Sequence, residues 1–168
     1  MKKFELTTEF ITNAFGKKLF RIKALVEFGD VKAGELGGYV EKEGNVSQAG
    51  NAWVYGNARV YGDARVYGNA EVSGNAEVYG DARVCGNAWV YGNADYALVQ
   101  GFGTEFRCTT FYRGKNKKIM VNCGCFHGDL EGFRKQVKET RNGKIAKEYL
   151  MIADLMEYHF TSEDSSDE

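Results

Sequence analysis

The sequence predicts a mainly β protein whose central third is a stack of short strands joined by tight corners. Seven consecutive hexads from Gly50 to Tyr91 fit the pattern Gly-Asn/Asp-Ala-x-Val-x. Glycine, which adopts positive φ freely, occurs 21 times in 168 residues, and proline, which would remove a strand's backbone donor, does not occur. The chain is 43% hydrophobic and 14% aromatic, which favours a packed core despite the glycine content.

Each hexad supplies one short strand and one corner. Alanine and valine, separated by one residue, face the same side of a strand. Gly-Asn and Gly-Asp suit a tight turn. Because one such strand buries only two side chains, it needs stacked neighbours that share a continuous core. Degenerate hexads begin at Gly44 and Gly92, so we expect the repeat to occupy residues 44–97.

The run Val54-Tyr55-Gly56-Asn57-Ala58-Arg59 resembles the hexapeptide-repeat family at its aliphatic and small positions, and departs from it where this chain prefers tyrosine. The resemblance implies a left-handed parallel β-helix with three hexads per coil. Segment 28–40, with Gly37-Gly38-Tyr39-Val40, is similar to the opening of bacterial hexapeptide proteins of the acetyltransferase class and of short phage and prophage proteins.

Both flanks of the repeat are predicted to cover its ends, because a stack of strands otherwise exposes unpaired edges. Residues 1–43 are predicted as an N-terminal β cap and first coil, with strands at 4–7 and 19–25. Residues 98–160 are predicted as a small C-terminal α/β module. Its parts are a hairpin of strands 105–112 and 118–123, and two helices at 130–140 (N-capped by Asp129) and 145–160. Residues 161–168 are predicted to be a disordered acidic tail.

Stacking at three-hexad intervals sorts the outward side chains into three columns. If valine faces inward, the predicted binding surface consists of Trp53, Arg59, Tyr61, Arg65, Tyr67, Tyr79, Arg83 and Trp89. Exposed aromatic and arginine side chains are typical of an interface, so we expect self-association as a homotrimer. Arginine beside tyrosine also suits phosphates and stacked bases, so a small nucleotide or a host protein is a further candidate partner.

A second candidate site lies outside the repeat. Cys123, Cys125 and His127 alternate, and Cys108 is expected on the partner strand of the hairpin. Three cysteines and one histidine form a known zinc ligand set. The alternative is that the cysteines are small buried apolar residues and that His127 begins a turn. Beyond this metal hypothesis, we expect no cofactor.

The resemblance also raises acyl transfer from acetyl-CoA, which would use a histidine general base. The two histidines, His127 and His159, both lie outside the repeat. We therefore prefer a non-catalytic, phage-type binding or assembly protein that sequesters or inhibits a bacterial defence component, either a protein effector or a nucleotide signal. An acyltransferase and a purely structural, self-assembling scaffold are the alternatives.

The lack of a long apolar run and the charge balance of the repeat limit the cellular location and the partners that we expect. No apolar run approaches the ~18 residues of a membrane span, and the N-terminus alternates charged and apolar residues. We expect a cytoplasmic protein, in the host cytoplasm if it is phage-encoded, without a membrane partner. Residues 44–96 carry five acidic and three basic side chains, which argues against binding of long nucleic acid.

Overall fold

The chain forms an N-terminal hairpin, a run of two-residue strands, a four-stranded sheet and two helices in a computed structural model that describes residues 1–161. The N-terminal strands are β1 (Phe4–Thr12), β2 (Lys18–Ala24) and β3 (Leu36–Val40). The repeat supplies β4 (Trp53–Val54), β5 (Arg59–Val60), β6 (Arg65–Val66), β7 (Glu71–Val72), β8 (Glu77–Val78), β9 (Arg83–Val84) and β10 (Trp89–Val90). The C-terminal elements are β11 (Tyr96–Phe102), β12 (Arg107–Arg113), β13 (Ile119–Cys123), β14 (Phe126–Asp129), α1 (Leu130–Thr140) and α2 (Gly143–Thr161).

The strands of the repeat pair in parallel with strands of the next coil. Trp53 is in register with Glu71, which is in register with Trp89, so β4, β7 and β10 form one sheet. Strand β5 pairs with β8, and β6 pairs with β9. The predicted stacking of residues three hexads apart is confirmed at these pairs.

The alanine and valine of each hexad form the core of the repeat. Every one of these side chains from Ala52 to Val90 is at most 1% exposed. The corner glycines adopt positive φ, from 58° at Gly56 to 70° at Gly68, as the hexad predicts. The backbone conformation of each hexad therefore follows from its amino-acid sequence. The side chains that face outward form the surface of the repeat.

The N-terminal segment continues one sheet of the repeat and closes one end of the core. β1 and β2 form an antiparallel hairpin, β2 pairs with β3, and β3 pairs in parallel with β5, which gives the order β1-β2-β3-β5-β8. The rings of Phe4 and Phe28 pack edge-on against Trp53, with ring centroids 5.9 and 5.3 Å away. Trp53 is thus completely buried. The prediction that Trp53 lies on an exposed surface is wrong, because a remote segment folds over it.

The C-terminal region contains a four-stranded antiparallel sheet, with the order β11-β12-β13-β14, rather than the predicted hairpin alone. The prediction missed β11, which begins inside the degenerate last hexad, and β14, which has four residues including Gly128. Neighbouring side chains of β12 face opposite sides of the sheet. Tyr112 belongs to the core of the repeat, and Phe111 to a second core shared with the helices. The sheet therefore covers the other end of the repeat and carries α1 and α2 on its far side.

The two helices agree closely with the sequence prediction. The carboxylate of Asp129 accepts a hydrogen bond of 2.8 Å from the backbone N–H of Gly132 and so caps α1. Phe133 and Val137 of α1 are buried, as are Tyr149, Ile152 and Met156 of α2. Helix α2 includes Thr161, and the rest of the predicted acidic tail, residues 162–168, lies outside the described residues.

Candidate anion-binding groove

A groove runs along the β6–β9 column of the repeat and continues onto the C-terminal sheet. Its first lobe, of about 500 Å³, lies between β9 and the sheet, and its second lobe, of about 540 Å³, lies beside β6 and segment 43–48. Tyr67 and Arg83 border both lobes. We name this feature the arginine groove and define it by Arg65, Tyr67, Asp81, Arg83, Phe106 and Arg107.

Two like charges lie side by side in the groove. Arg65 and Arg83 are direct register partners on adjacent parallel strands, and both are exposed. Within residues 1–161, neither guanidinium forms an ion pair with a carboxylate. Like charges directly opposite each other on a sheet are destabilising. The groove therefore carries two guanidiniums that form no ion pair in the described part of the chain, although the carboxylates of Asp81 and Glu43 also line it.

The other two columns of the repeat are neutralised. In the column formed by β5 and β8, Arg59 forms an ion pair of 3.4 Å with its register partner Glu77. In the column formed by β4, β7 and β10, Glu71 forms an ion pair of 2.8 Å with Lys115 of the C-terminal region. The same hexad position thus holds compensated charge on two columns and uncompensated charge on the third.

Side chains of the C-terminal sheet hold the backbone of Arg83 in place. The N–H of Arg83 donates to Thr110 Oγ1 at 3.0 Å, and its carbonyl accepts from Asn122 Nδ2 at 3.0 Å. The same amide nitrogen of Asn122 lies 2.9 Å from Cys85 Sγ. The outer edge of β9 is therefore completed by side chains instead of by another strand, and this leaves the guanidinium of Arg83 free to face the groove.

A polar network links β9 to the C-terminal sheet next to the groove. Cys85 Sγ lies 3.5 Å from Tyr112 Oη, which lies 2.9 Å from His127 Nε2. Burial, followed by a hydrogen bond to Cys85, raises the pKa of Tyr67 to about 12. Burial also raises the pKa of Tyr112 well above its usual range. Both phenols stay protonated at neutral pH, so Tyr67 offers a neutral hydroxyl at the junction of the lobes.

Phe106 and Arg107 form the wall that the sheet contributes. Phe106 is 66% exposed and has a positive φ of 50°, which is a strained conformation for a bulky residue. The guanidinium of Arg107 lies against Gly124, where any Cβ would collide with Arg107 Nη1. The tight β13–β14 turn therefore sets the position of a third arginine, which also forms no ion pair within residues 1–161.

The other predicted binding residues do not join this groove. Tyr61 is 6% exposed, and the prediction of an exposed Tyr61 is wrong because its ring stacks on Tyr79 at 5.2 Å and its hydroxyl donates to Glu77 at 3.0 Å. Arg59 is engaged in the ion pair described above. Trp89 is half-buried beside Tyr91, with ring centroids 4.7 Å apart. Of the eight predicted residues, the structure brings Arg65, Tyr67 and Arg83 together.

The predicted zinc ligands do not converge. Thr109, rather than Cys108, lies opposite Cys123, and its hydroxyl donates to Cys123 Sγ at 3.1 Å. A turn at Gly124 and Cys125 places His127 on the next strand, where its ring forms a hydrogen bond with the Tyr112 hydroxyl. Cys125 is exposed. In residues 1–161, no three histidine, cysteine or acidic side chains form a metal-binding group, so the zinc hypothesis is wrong for this part of the chain.

Several groove residues escaped sequence reasoning. Phe106 lies in the turn between β11 and β12, and Arg107 and Asn122 lie in the sheet; nothing in their local pattern indicates that the sheet packs against β9. Asp81 is the corner residue that follows Gly80 in its hexad, and it also borders the first lobe. The three-hexad spacing of the sequence places Arg65 beside Arg83, and this spacing is the signal from which the arginine pair could be found.

Stacked two-residue strands with glycine corners are typical of β-solenoid repeats. A family model described as the YdcK beta solenoid repeat matches residues 52–68 and 76–92. The matched residues are a fifth of the chain and lie in the coils that form the groove's β6 and β9 columns. No curated protein matches the chain significantly. In residues 1–161, neither helix has the length and apolar character that crossing a membrane requires.

Proposed function

We propose that this is a non-catalytic binding protein that holds a small phosphate-bearing ligand in the arginine groove. The observation that carries the proposal is the register of Arg65 and Arg83, which places two guanidiniums together without a carboxylate partner in the described residues. The planar guanidinium matches phosphate oxygens in a bidentate geometry. An anion at this position would offset the repulsion between the two side chains.

The size of the groove supports a small ligand. Both lobes fall within the range of about 300–1,000 Å³ that is usual for small-molecule sites. A protein partner would need a broader surface of about 800 Å² on each side. A site that binds without transforming its ligand would sequester it, which is the role expected from a repeat that carries outward arginine and tyrosine side chains but no histidine.

Titration calorimetry with inorganic diphosphate tests the proposal. The wild-type chain is expected to bind saturably, and the double variant Arg65→Gln/Arg83→Gln is expected to bind at least about tenfold more weakly, because each lost bond joins two charged groups. The matched control is Arg59→Gln, which removes the same charge at the same hexad position outside the groove and is expected to bind as the wild type does. No saturable binding, or equal binding by the double variant, would contradict the proposal.

An acyltransferase remains the second candidate, because acetyl-CoA also carries phosphates that suit the groove. Its proton acceptor would be His127, whose Nε2 lies 2.9 Å from the Tyr112 hydroxyl on the neighbouring sheet. Incubation with acetyl-CoA and a panel of amine and hydroxyl acceptors distinguishes the two. Release of free CoA that requires both protein and acceptor would favour the enzyme, whereas binding of acetyl-CoA without turnover would favour the binding protein.

We also propose that the coils form a left-handed parallel β-helix and that the protein assembles as a homotrimer. The three-hexad register supports parallel coils of three hexads, and the resemblance to the hexapeptide-repeat family supports the left hand. The exposure of Tyr79 and Tyr91, 48% each, supports a surface that another copy covers. Sedimentation equilibrium is expected to give three times the mass of the chain, and a monomer would contradict the assembly. An experimental structure with right-handed coils would contradict the handedness. A trimer that binds no diphosphate would favour the structural scaffold.

A further inference from the structure

We infer that the ligand of the arginine groove is a guanine nucleotide, with the base in the first lobe between Phe106 and Asp81 and the phosphates at Arg83 and Arg65. This inference rests on the proposed phosphate site. It follows from the groups that the first lobe adds to the arginine pair.

Phe106 provides a stacking surface for a base. A phenylalanine that is 66% exposed leaves a large apolar ring in water, and its positive φ adds backbone strain. Such strain is typically retained where a functional geometry needs it. Aromatic rings stack on the face of any base, and the neighbouring Arg107 guanidinium adds a second planar, cationic surface.

Asp81 provides the group that selects among bases. It borders the first lobe together with Arg83 and Arg107. It forms no ion pair with either of them in the described structure. Asp81 is exposed, and it lines the lobe together with Cys108, Arg83 and Arg107, so its carboxylate is accessible to a ligand there.

An ionised carboxylate only accepts hydrogen bonds. Guanine presents two adjacent N–H donors, at N1 and N2, on its Watson–Crick edge and can satisfy both carboxylate oxygens. Adenine and cytosine place a ring acceptor beside their amino group, and uracil flanks its single N–H with two carbonyl oxygens. An aspartate facing this edge therefore favours guanine and repels the other three bases.

The order of groups along the groove fits a nucleotide with more than one phosphate. Arg83 borders both lobes, whereas Arg65 borders the second lobe. A base in the first lobe leaves its 5′ phosphates next to Arg83 and directs them toward Arg65. Tyr67, which also borders both lobes, lies along the path of the phosphates between the two arginines. Affinity is therefore expected to rise from GMP to GDP.

The test compares GDP, ADP, GMP and inorganic diphosphate by titration calorimetry. Wild-type protein is expected to bind GDP at least about tenfold more tightly than ADP, as for the loss of a charged hydrogen bond. Asp81→Asn is expected to lose this preference. The matched control is Asp63→Asn, because Asp63 has the same hexad position one coil earlier but pairs with Lys42 at 2.9 Å outside the first lobe. Phe106→Ala is expected to weaken both nucleotides and to leave diphosphate binding unchanged.

The outcomes separate this inference from the proposed function. If GDP and ADP bind equally and diphosphate displaces both, the guanine assignment is overturned and the phosphate site stands. If Asp81→Asn keeps the wild-type preference for GDP, the role of Asp81 is overturned. If neither diphosphate nor any nucleotide binds, the proposed function and this inference both fall.

Discussion

Trp53 packs edge-on against Phe28 with ring centroids 5.3 Å apart, while Trp89, at the same hexad position two coils later, contacts Tyr91 instead. The first indole is completely buried and the second is half-buried. Tryptophans at two equivalent positions of the repeat thus contribute differently to the free energy of unfolding, because the N-terminal segment folds over one of them.

Replacing these tryptophans is expected to have unequal effects. Trp53→Ala is expected to lower the free energy of unfolding by about 3–5 kcal/mol, the usual cost of deleting a large core ring. Trp89→Ala is expected to cost about half as much, because less of its ring leaves water on folding. Urea denaturation of both variants measures the difference. Equal losses would contradict the burial difference, and acrylamide quenching of single-tryptophan variants provides an independent check.

Two corner glycines are expected to respond differently to alanine. Gly56 and Gly74 have similar positive φ values, 58° and 62°. A Cβ at Gly56 meets no atom within 4 Å, whereas one at Gly74 would collide with the carbonyl oxygen of Tyr91. We expect Gly56→Ala to cost about 1–2 kcal/mol from backbone strain alone. Gly74→Ala is expected to cost about 1–3 kcal/mol more from overpacking. Thermal unfolding distinguishes them, and equal midpoints would refute the close approach.

Lys3 is expected to make the fold more stable as the pH rises from 8 toward 10.5. Its ammonium donates hydrogen bonds to the carbonyl oxygens of Gly50 and Ala52, at 3.2 and 2.8 Å, and so joins the N-terminal segment to the repeat. Burial lowers the pKa of Lys3 from 10.5 to about 8. In this window the folded state releases a proton that the unfolded state keeps, so raising the pH favours the folded state. Urea midpoints measured across the window test this, and the rise should disappear in Lys3→Met.

Above pH 10 the tyrosines are expected to reverse this trend. Burial raises the pKa of Tyr55, Tyr61 and Tyr67 from 10.0 to about 12. Their contribution is complete below pH 10. It is lost between pH 10 and 12, because the unfolded state ionises first. Following tyrosinate absorbance together with circular dichroism should show ionisation coincident with unfolding. Ionisation that precedes unfolding would contradict the burial of these phenols, and Tyr61→Phe should show a shallower loss.

Asn122 is expected to be a structural link between the sheet and the repeat. Asn122→Ala leaves the carbonyl of Arg83 without its donor, which should cost about 1–3 kcal/mol of unfolding free energy. Asn69→Ala is the matched control, since its amide makes a single exposed bond of 3.4 Å to Asn87. That change should cost no more than about 0.5 kcal/mol. Similar losses in the two variants would argue against a connecting role for Asn122.

The candidate site was readable from the sequence in part. The three-hexad spacing placed Arg65 above Arg83, and the structure has that register. The same reasoning treated Arg59 as an equivalent binding residue, although its register partner Glu77 neutralises it. Charge pairing along a column was therefore available in the sequence. The contribution of Phe106 and Arg107 was not, because it depends on how the sheet packs against β9.

The zinc hypothesis shows a similar limit. Alternating Cys123, Cys125 and His127 share a face only if the strand continues through them. Gly124, with a positive φ of 60°, turns the chain between β13 and β14 instead. A register one residue different from the expected one then placed Thr109 opposite Cys123.

By itself, the sequence determined the features that depend on neighbouring residues. These are the inward alanine and valine of each hexad, the positive φ of its corner glycine, and the cap of Asp129 on α1. Such features follow from local sterics, strand alternation and side-chain hydrogen bonding, and each is repeated or flanked by matching signals. The tertiary structure decided which outward side chains are covered, neutralised or left free. It buried Trp53, paired Arg59 and left the Arg65–Arg83 pair facing a groove, because segments distant in the chain fold against some columns of the repeat and not others.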